Sequence, residues 1–217
     1  MVRVIAVLIG YVFGLFQTAF FYGKLKGIDI REHGSGNSGT TNALRVLGKK
    51  AGLIVFLGDA LKCILAITLV RILFGQSHED IILPLCLYTC AGTVLGHNYP
   101  FYMKFKGGKG IAATAGMVIA LDPLIMVIGI ITFFGCFFLT HLVSLCSLLT
   151  YTVLMILLVV CGQLGYFPNA SQATLIEAYI VFFFLLALAF WKHRENIVRL
   201  IHGNERKTYL SKKNQVD

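Results

Sequence analysis

A chain of 217 residues has room for one or two water-soluble domains, but 57% of its residues are hydrophobic and only 13% are charged, about half the charged share of ordinary globular domains. The surplus apolar residues form runs long enough to cross a hydrocarbon layer about 30 Å thick, which takes about 20 helical residues, so a soluble fold is excluded. The formal net charge of +9 then points to anionic lipid or a small anionic substrate, and nucleic acid is set aside for so apolar a chain.

The first apolar run, residues 4–22, has only Arg3 in front of it and no convincing small-x-small cleavage site, so it is a retained span rather than a secretion signal. A second run, 51–75, contains Asp59, Lys62 and Arg71, and a third covers 81–96. After a basic loop comes a short stretch, 111–121, ending at Asp122-Pro123; it is expected to tilt or to be embedded in the bundle. Runs at 123–138, 142–161 and 174–191 complete the set. The expectation is a single-domain, all-α polytopic membrane bundle of about seven transmembrane helices, one of them short, without heptads or internal repeats. The six cysteines all lie in apolar runs and form no C-x-x-C pair, so they are packing residues.

If all seven segments cross, sixteen of the nineteen basic residues share one side, including seven from Lys192 to Lys213. The opposite side holds Arg3, Glu79, Asp80 and Asp122. The positive-inside rule makes the basic side cytoplasmic, with the N-terminus outside and the C-terminus in the cytoplasm.

Three polar segments fall on that side. In Gly34–Asn42 (GSGNSGTTN), three glycines in six residues let backbone N–H groups converge on an anion. Ser35, Asn37, Thr40, Thr41 and Asn42 add donors, and Arg45, expected on the first turn of a short helix, suits bidentate phosphate binding. The plain alternative is a flexible loop before a capped helix. The second segment, Gly96–Gly110 (GHNYPFYMKFKGGKG), sets Lys104, Lys106 and Lys109 around Gly107 and Gly108, directly before an apolar helix. A glycine turn feeding a helix N-terminus is a ready anion site, although the segment is no Walker A loop. A basic loop touching anionic headgroups would explain the lysines but neither the glycine pair nor His97. The third segment, His193–Glu205 (HRENIVRLIHGNE), places His193, Asn196 and Ile197 on one helix face and stops at Gly203. Its alternative is an amphipathic anchor with Trp191 at headgroup level. Asp59 and Lys62 lie one turn apart, about 12 Å into the second span. Unpaired, each would cost about 2.5–3.5 kcal/mol at that depth, so they pair or face a polar interior. Support of the first loop is as good a reading as a direct role.

Together and in this order, the three segments resemble the bacterial acyl-phosphate-dependent glycerol-3-phosphate acyltransferase family, whose members carry a GSGN-type loop, a GH-x-x-P…KFKGGKG loop and an HR-x-N-I-x-R-L…G-x-E tail. The likeness spans nearly the whole chain. Ser38 and Thr40 stand where proline and alanine are commoner, which leaves the loop less stiff while keeping its donors. The resemblance implies transfer of an acyl group from acyl phosphate to the sn-1 hydroxyl of glycerol 3-phosphate. The products are 1-acyl-glycerol 3-phosphate and inorganic phosphate, in phospholipid biosynthesis at a bacterial cytoplasmic membrane. It implies no metal, no organic cofactor, and an acyl-phosphate-producing enzyme as a candidate partner. Substrate binding then falls to Gly34, Gly36, Asn37, Thr41, Asn42, Arg45, Lys104, Gly107, Gly108, Lys109 and Glu205. Ser35, His193, Asn196 and His97 are the catalytic candidates, His97 as a base or as the support of the second loop. Two other readings remain: a CDP-alcohol-type lipid phosphotransferase, which needs several aspartates on one helix, and a carrier of phosphorylated metabolites, which needs a mid-membrane site between inverted repeats.

Overall fold

A computed structural model describes residues 1–210 of the chain; Lys212 and Lys213 of the basic tail lie outside the described residues. Those residues are all-α, in ten helices: α1 Val2–Gly14, α2 Thr18–Leu25, α3 Thr40–Leu47, α4 Lys49–Phe74, α5 Ile82–Asn98, α6 Ile111–Leu121, α7 Pro123–Thr140, α8 Val143–Gln163, α9 Gln172–Lys192 and α10 Arg194–Ile201. Six segments are long and apolar enough to cross a membrane, and α6 is a seventh, shorter apolar helix. Local chemistry fixes the boundaries. Asp122 accepts from the Leu124 and Ile125 amides while Pro123 takes the first helical position, starting α7 sharply. Ser171 caps α9 in the same way.

The first apolar run is not one continuous helix, as residues 4–22 suggested. It breaks between Gly14 and Thr18, at the single strongly polar residue of the run, Gln17. Carbonyls released inside a bilayer find no water and need internal donors. Gln17 Nε2 donates to Gly14 O (3.2 Å), the Tyr102 hydroxyl to Leu15 O (2.6 Å) and Lys62 Nζ to Phe16 O (2.7 Å). The break is therefore sealed by side chains from α4 and from the loop after α5.

Helices α1 and α5 meet backbone to backbone. Gly10 and Gly14 on α1 face Gly92 and Gly96 on α5, and a Cβ on any of them would overlap a carbonyl oxygen of the other helix. Small residues four apart are the means by which apolar helices approach closely in lipid. Gly116 does the same for α6 against Ala60 of α4. The core fills with Ile67, Leu87, Met117, Leu154, Phe182 and Leu185, together with Cys63, Cys86 and Cys90. Leu, Ile and Phe side chains such as Leu8, Leu57, Ile131 and Phe183 point outward, as a lipid-facing surface requires.

The loop before the short α6 is recessed into the bundle. Lys62, about 20 Å along α4 from Lys49 by helical rise, touches His97 near the end of α5. α6 thus starts part-way into the bundle and ends where the Leu121 carbonyl accepts from Arg71, in the last turn of α4.

Candidate active site

Asp29, Arg31 and Asn42 shape the first loop. Arg31 grips both carboxylate oxygens of Asp29 (3.0 and 2.7 Å) and lies over the Phe20 ring. That guanidinium pulls the Asp29 carboxyl down to about 2. Asn42 is buried, and its amide is spent inside the loop: Oδ1 accepts from the Ser35 amide (2.9 Å), and Nδ2 donates to Ile30 O (3.1 Å) and His33 O (3.0 Å). It therefore moulds the loop from behind. Gly34 and Gly36 have positive φ, and a Cβ on Gly34 would overlap the Asn42 amide. Ser35 and Gly36 form the exposed tip, with Asn37 and Thr41 half-buried beside it. Arg45 lies in the last turn of α3, not the first, because the helix already starts at Thr40. Its guanidinium donates to Arg206 O (3.1 Å) and Thr208 Oγ1 (2.7 Å) of the tail.

The second loop folds back over the end of α5. The Gly107 amide donates to Asn98 O (3.2 Å) and the Gly108 amide to His97 O (3.1 Å). A Cβ at Gly107 would overlap His97 O, and one at Gly108 would overlap Nε2 of the His97 ring. The pair is glycine because the turn lies directly on α5, and two N–H groups expected to face an anion are used there instead. Lys104 is exposed in a left-handed conformation, whereas Lys109 is half-buried and reaches Asn196 Oδ1.

His97 itself is buried between that turn and an ionic cluster. Lys62 Nζ lies 2.8 Å from its Nδ1 and 2.9 Å from Asp59 Oδ1, which also accepts from the Thr18 hydroxyl at 2.9 Å. An ammonium can only donate, so Nδ1 accepts and the ring carries its proton on Nε2. Asp59 and Lys62 do pair, but what they support is the α1–α2 break and the second loop, not the first loop.

The tail joins the two loops. Asn196 receives Lys109 on Oδ1 and donates Nδ2 to Glu205 Oε1 (2.6 Å); Glu205 also accepts from Ser144 Oγ (3.0 Å) and Arg199 Nε (2.8 Å). Burial draws the Lys109 ammonium down to about 8, with Glu205 pulling the other way. At the α9–α10 joint, His193 Nδ1 donates to Ala189 O (2.8 Å), leaving Nε2 as an acceptor. Burial, reinforced by the charge of Lys109, lowers this histidine to about 4. The three segments therefore meet: Lys109 binds the tail from the second loop, and Arg45 binds it from the first. Ser144, Thr208 and Gln17 are parts of this assembly that no motif announced, and Arg199, although inside the third motif, was given no role there. Of the first three, only Gln17 carried a signal, as a lone amide in an apolar run.

A sequence profile of the glycerol-3-phosphate acyltransferases matches residues 4–203. The chain belongs to the glycerol-3-phosphate acyltransferase family. A protein named glycerol-3-phosphate acyltransferase 2 from Bacillus cereus (strain ATCC 10987 / NRS 248) is 39% identical over 208 residues, covering 95% of each chain. The glycerol-3-phosphate acyltransferase of Bacillus subtilis (strain 168) is 38% identical over 210 residues, covering 95% of this chain and 98% of its own. Two crystal structures of PlsY (YgiH), an integral membrane glycerol 3-phosphate acyltransferase, superpose at 32% identity. Its glycerol 3-phosphate form gives a TM-score of 0.81 and covers 95% of this chain and 96% of that one. Its lysophosphatidic acid form gives 0.79, covering 96% of each.

For a glycerol-3-phosphate acyltransferase, the arrangement offers cations on two loops, a neutral imidazole at the α9–α10 joint, and an amide side chain that fixes one loop against the tail. Among the described residues no group of three or more His, Cys, Asp or Glu side chains gathers as a metal site.

Proposed function

We propose that this membrane acyltransferase moves an acyl group from acyl phosphate to the sn-1 hydroxyl of glycerol 3-phosphate, in phospholipid synthesis at the cytoplasmic face of a bacterial inner membrane. The observation that carries the reading is the tail's grip on both loops, through Lys109 to Asn196 and Arg45 to Thr208. A reaction between two phosphate-bearing substrates needs cations on both sides of one carbonyl. The names of the relatives, and the two ligand forms in which PlsY was crystallised, support glycerol 3-phosphate as substrate and a lysophosphatidic acid as product.

Acyl phosphate is already activated, so no protein nucleophile is required. Arg45 and Lys104 with the first-loop donors neutralise the phosphates, and Lys109 adds charge from beneath. The glycerol C1 hydroxyl attacks the acyl carbon, the bond from that carbon to the phosphate oxygen breaks, and the hydroxyl proton ends on the departing inorganic phosphate. His193, through its free Nε2, and Asn196 orient groups near the reacting carbonyl. Glu205 orders the tail. His97 supports the second loop, since its two nitrogens face Lys62 and Gly108. Acyl phosphate comes from an enzyme that makes it, which is the proposed partner.

The test is purified protein with acyl phosphate and glycerol 3-phosphate, without added metal or acyl-CoA. Release of inorganic phosphate together with 1-acyl-glycerol 3-phosphate is expected. No release ends the proposal. A lipid phosphotransferase reading is not favoured, because Asp59 is tied to Lys62 and Thr18.

A further inference from the structure

One cluster of buried charge touches none of the reacting groups in the scheme above, which uses only its histidine, as a support of the second loop. Lys62, Asp59 and His97 are 4%, 1% and 3% exposed, and the close partners of the ammonium are Phe16 O, Asp59 Oδ1 and His97 Nδ1, at 2.7, 2.9 and 2.8 Å. An ammonium has three donors, so Lys62 keeps none for a substrate. Burying such a pair is expensive, and a well-packed apolar pair of similar volume often stabilises equally well or better. Holding α4 against α1 is therefore a weak reason for its presence.

The partners off α4 indicate a different role. Phe16 lies in the α1–α2 break, and His97 is the last residue but one of α5. The ring that Lys62 holds at Nδ1 presents Nε2 to Gly108, where no Cβ fits. The Gly108 amide donates to the carbonyl of that same histidine, and the next residue, Lys109, reaches Asn196. Gln17, beside the break, ties down the His97 carbonyl at 3.0 Å as well.

We infer that Lys62 is a positioning residue: it locks the His97 ring, and through it sets the Gly107–Gly108 turn at the depth from which Lys109 meets Asn196. The kinetic part of this inference rests on the acyltransferase reading; the structural part does not.

The experiment compares wild type with Lys62→Met and with Asp59→Asn/Lys62→Met, which removes both charges and leaves no unpaired carboxylate if the single variant fails to fold. Amide exchange is followed without substrate, and phosphate release with it. Exchange at Gly107 and Gly108 is expected to quicken at least about 10-fold while Ser35 and Gly36 keep their wild-type rates. The value of kcat/KM is expected to fall at least about 10-fold. Gly108→Ala supplies a cycle: it should be severe in wild type, where the ring cannot yield, and at least about 10-fold milder in the charge-free background. Wild-type exchange at the turn, equal loosening of both loops, or additive penalties would each overturn the inference. A wild-type protein that releases no phosphate from acyl phosphate sinks the proposed reaction instead, and the exchange measurement still decides on Lys62.

Discussion

Lys109 and Asn196, 87 positions apart in sequence, are joined by a direct bond from ammonium to amide oxygen. The other end of that amide donates to Glu205 at 2.6 Å, so one side chain carries a cation from the second loop to a carboxylate in the tail. Replacing it with an apolar residue of similar size leaves two half-buried charges without their link. Asn196→Leu should lower kcat/KM about 100-fold. Ser144→Ala removes only one of three donors to Glu205 and should cost less than about 10-fold. Phosphate release from both variants ranks them, and equal losses would show that Asn196 serves only to order the tail.

The pH profile follows from two shifted groups. Burial lowers Lys109 to about 8, so its charge is present below that pH and lost above it. In the free enzyme kcat/KM should therefore fall as pH rises through about 8. His193, lowered to about 4, stays neutral from mildly acid to alkaline pH and should give no limb above about pH 5. The substrates' own phosphates titrate near about 6 and affect every variant alike. Lys109→Arg keeps its charge at high pH, so it should move the alkaline limb upward. An unmoved limb would assign that titration elsewhere.

Packing gives a separate expectation. Gly10→Ala and Gly92→Ala each drive a methyl into a backbone carbonyl of the facing helix, whereas a Cβ on Gly135 of α7 meets nothing within 4 Å. Overpacking of this kind costs typically about 1–3 kcal/mol. Thermal unfolding in detergent should show lower midpoints for the first two variants and none of that loss for Gly135→Ala. Three similar midpoints would refute the tight α1–α5 crossing.

The long spans were legible because lipid imposes one rule on every residue, and the structured ends fall within a few residues of the apolar runs. Gly203 ending α10 and Pro123 starting α7 were legible for the same reason: each residue type has one strong local preference. The break at Gln17 was not, since a single amide in nineteen apolar positions changes hydropathy little, and its partners Lys62 and Tyr102 are far away in sequence. Motif spacing also could not separate glycines that touch a ligand from glycines that touch the protein. Gly107 and Gly108 look like an anion cradle in sequence, yet their amides cap α5. Asn42 looks like a ligand donor and is the internal brace of its loop. Ser144 had no signal at all, because its role depends on where Glu205 arrives from sixty-one residues later.

Ser35 lies at the exposed tip of the first loop, and its backbone, not its hydroxyl, is held by Asn42. A hydroxyl without a paired base is a weak nucleophile, and the histidine nearest in sequence, His33, spends Nδ1 on the Asp29 carbonyl at 3.1 Å. Ser35→Ala should therefore retain measurable activity, with the main loss in binding. Complete inactivity, with an acyl-serine trapped on the wild-type protein, would establish a covalent route in place of direct attack.

Arg45 is the last case, and its geometry makes two roles separable. Its guanidinium already holds Arg206 O and Thr208 Oγ1, so its loss both removes a cation and frees the tail. If phosphate binding dominates, Arg45→Ala should raise the KM for glycerol 3-phosphate by about 10-fold more than it lowers kcat. Thr208→Val, which removes one of the two tail contacts and keeps the charge, should then change either constant by less than about 3-fold. If tail order dominates, Thr208→Val will reproduce part of the Arg45→Ala loss, because it loosens the same segment while the Arg206 contact stays. Equal falls in kcat and kcat/KM for Arg45→Ala alone would mean that the guanidinium meets charge only as the acyl–phosphate bond breaks. Steady-state kinetics with glycerol 3-phosphate varied at saturating acyl phosphate distinguish the three outcomes.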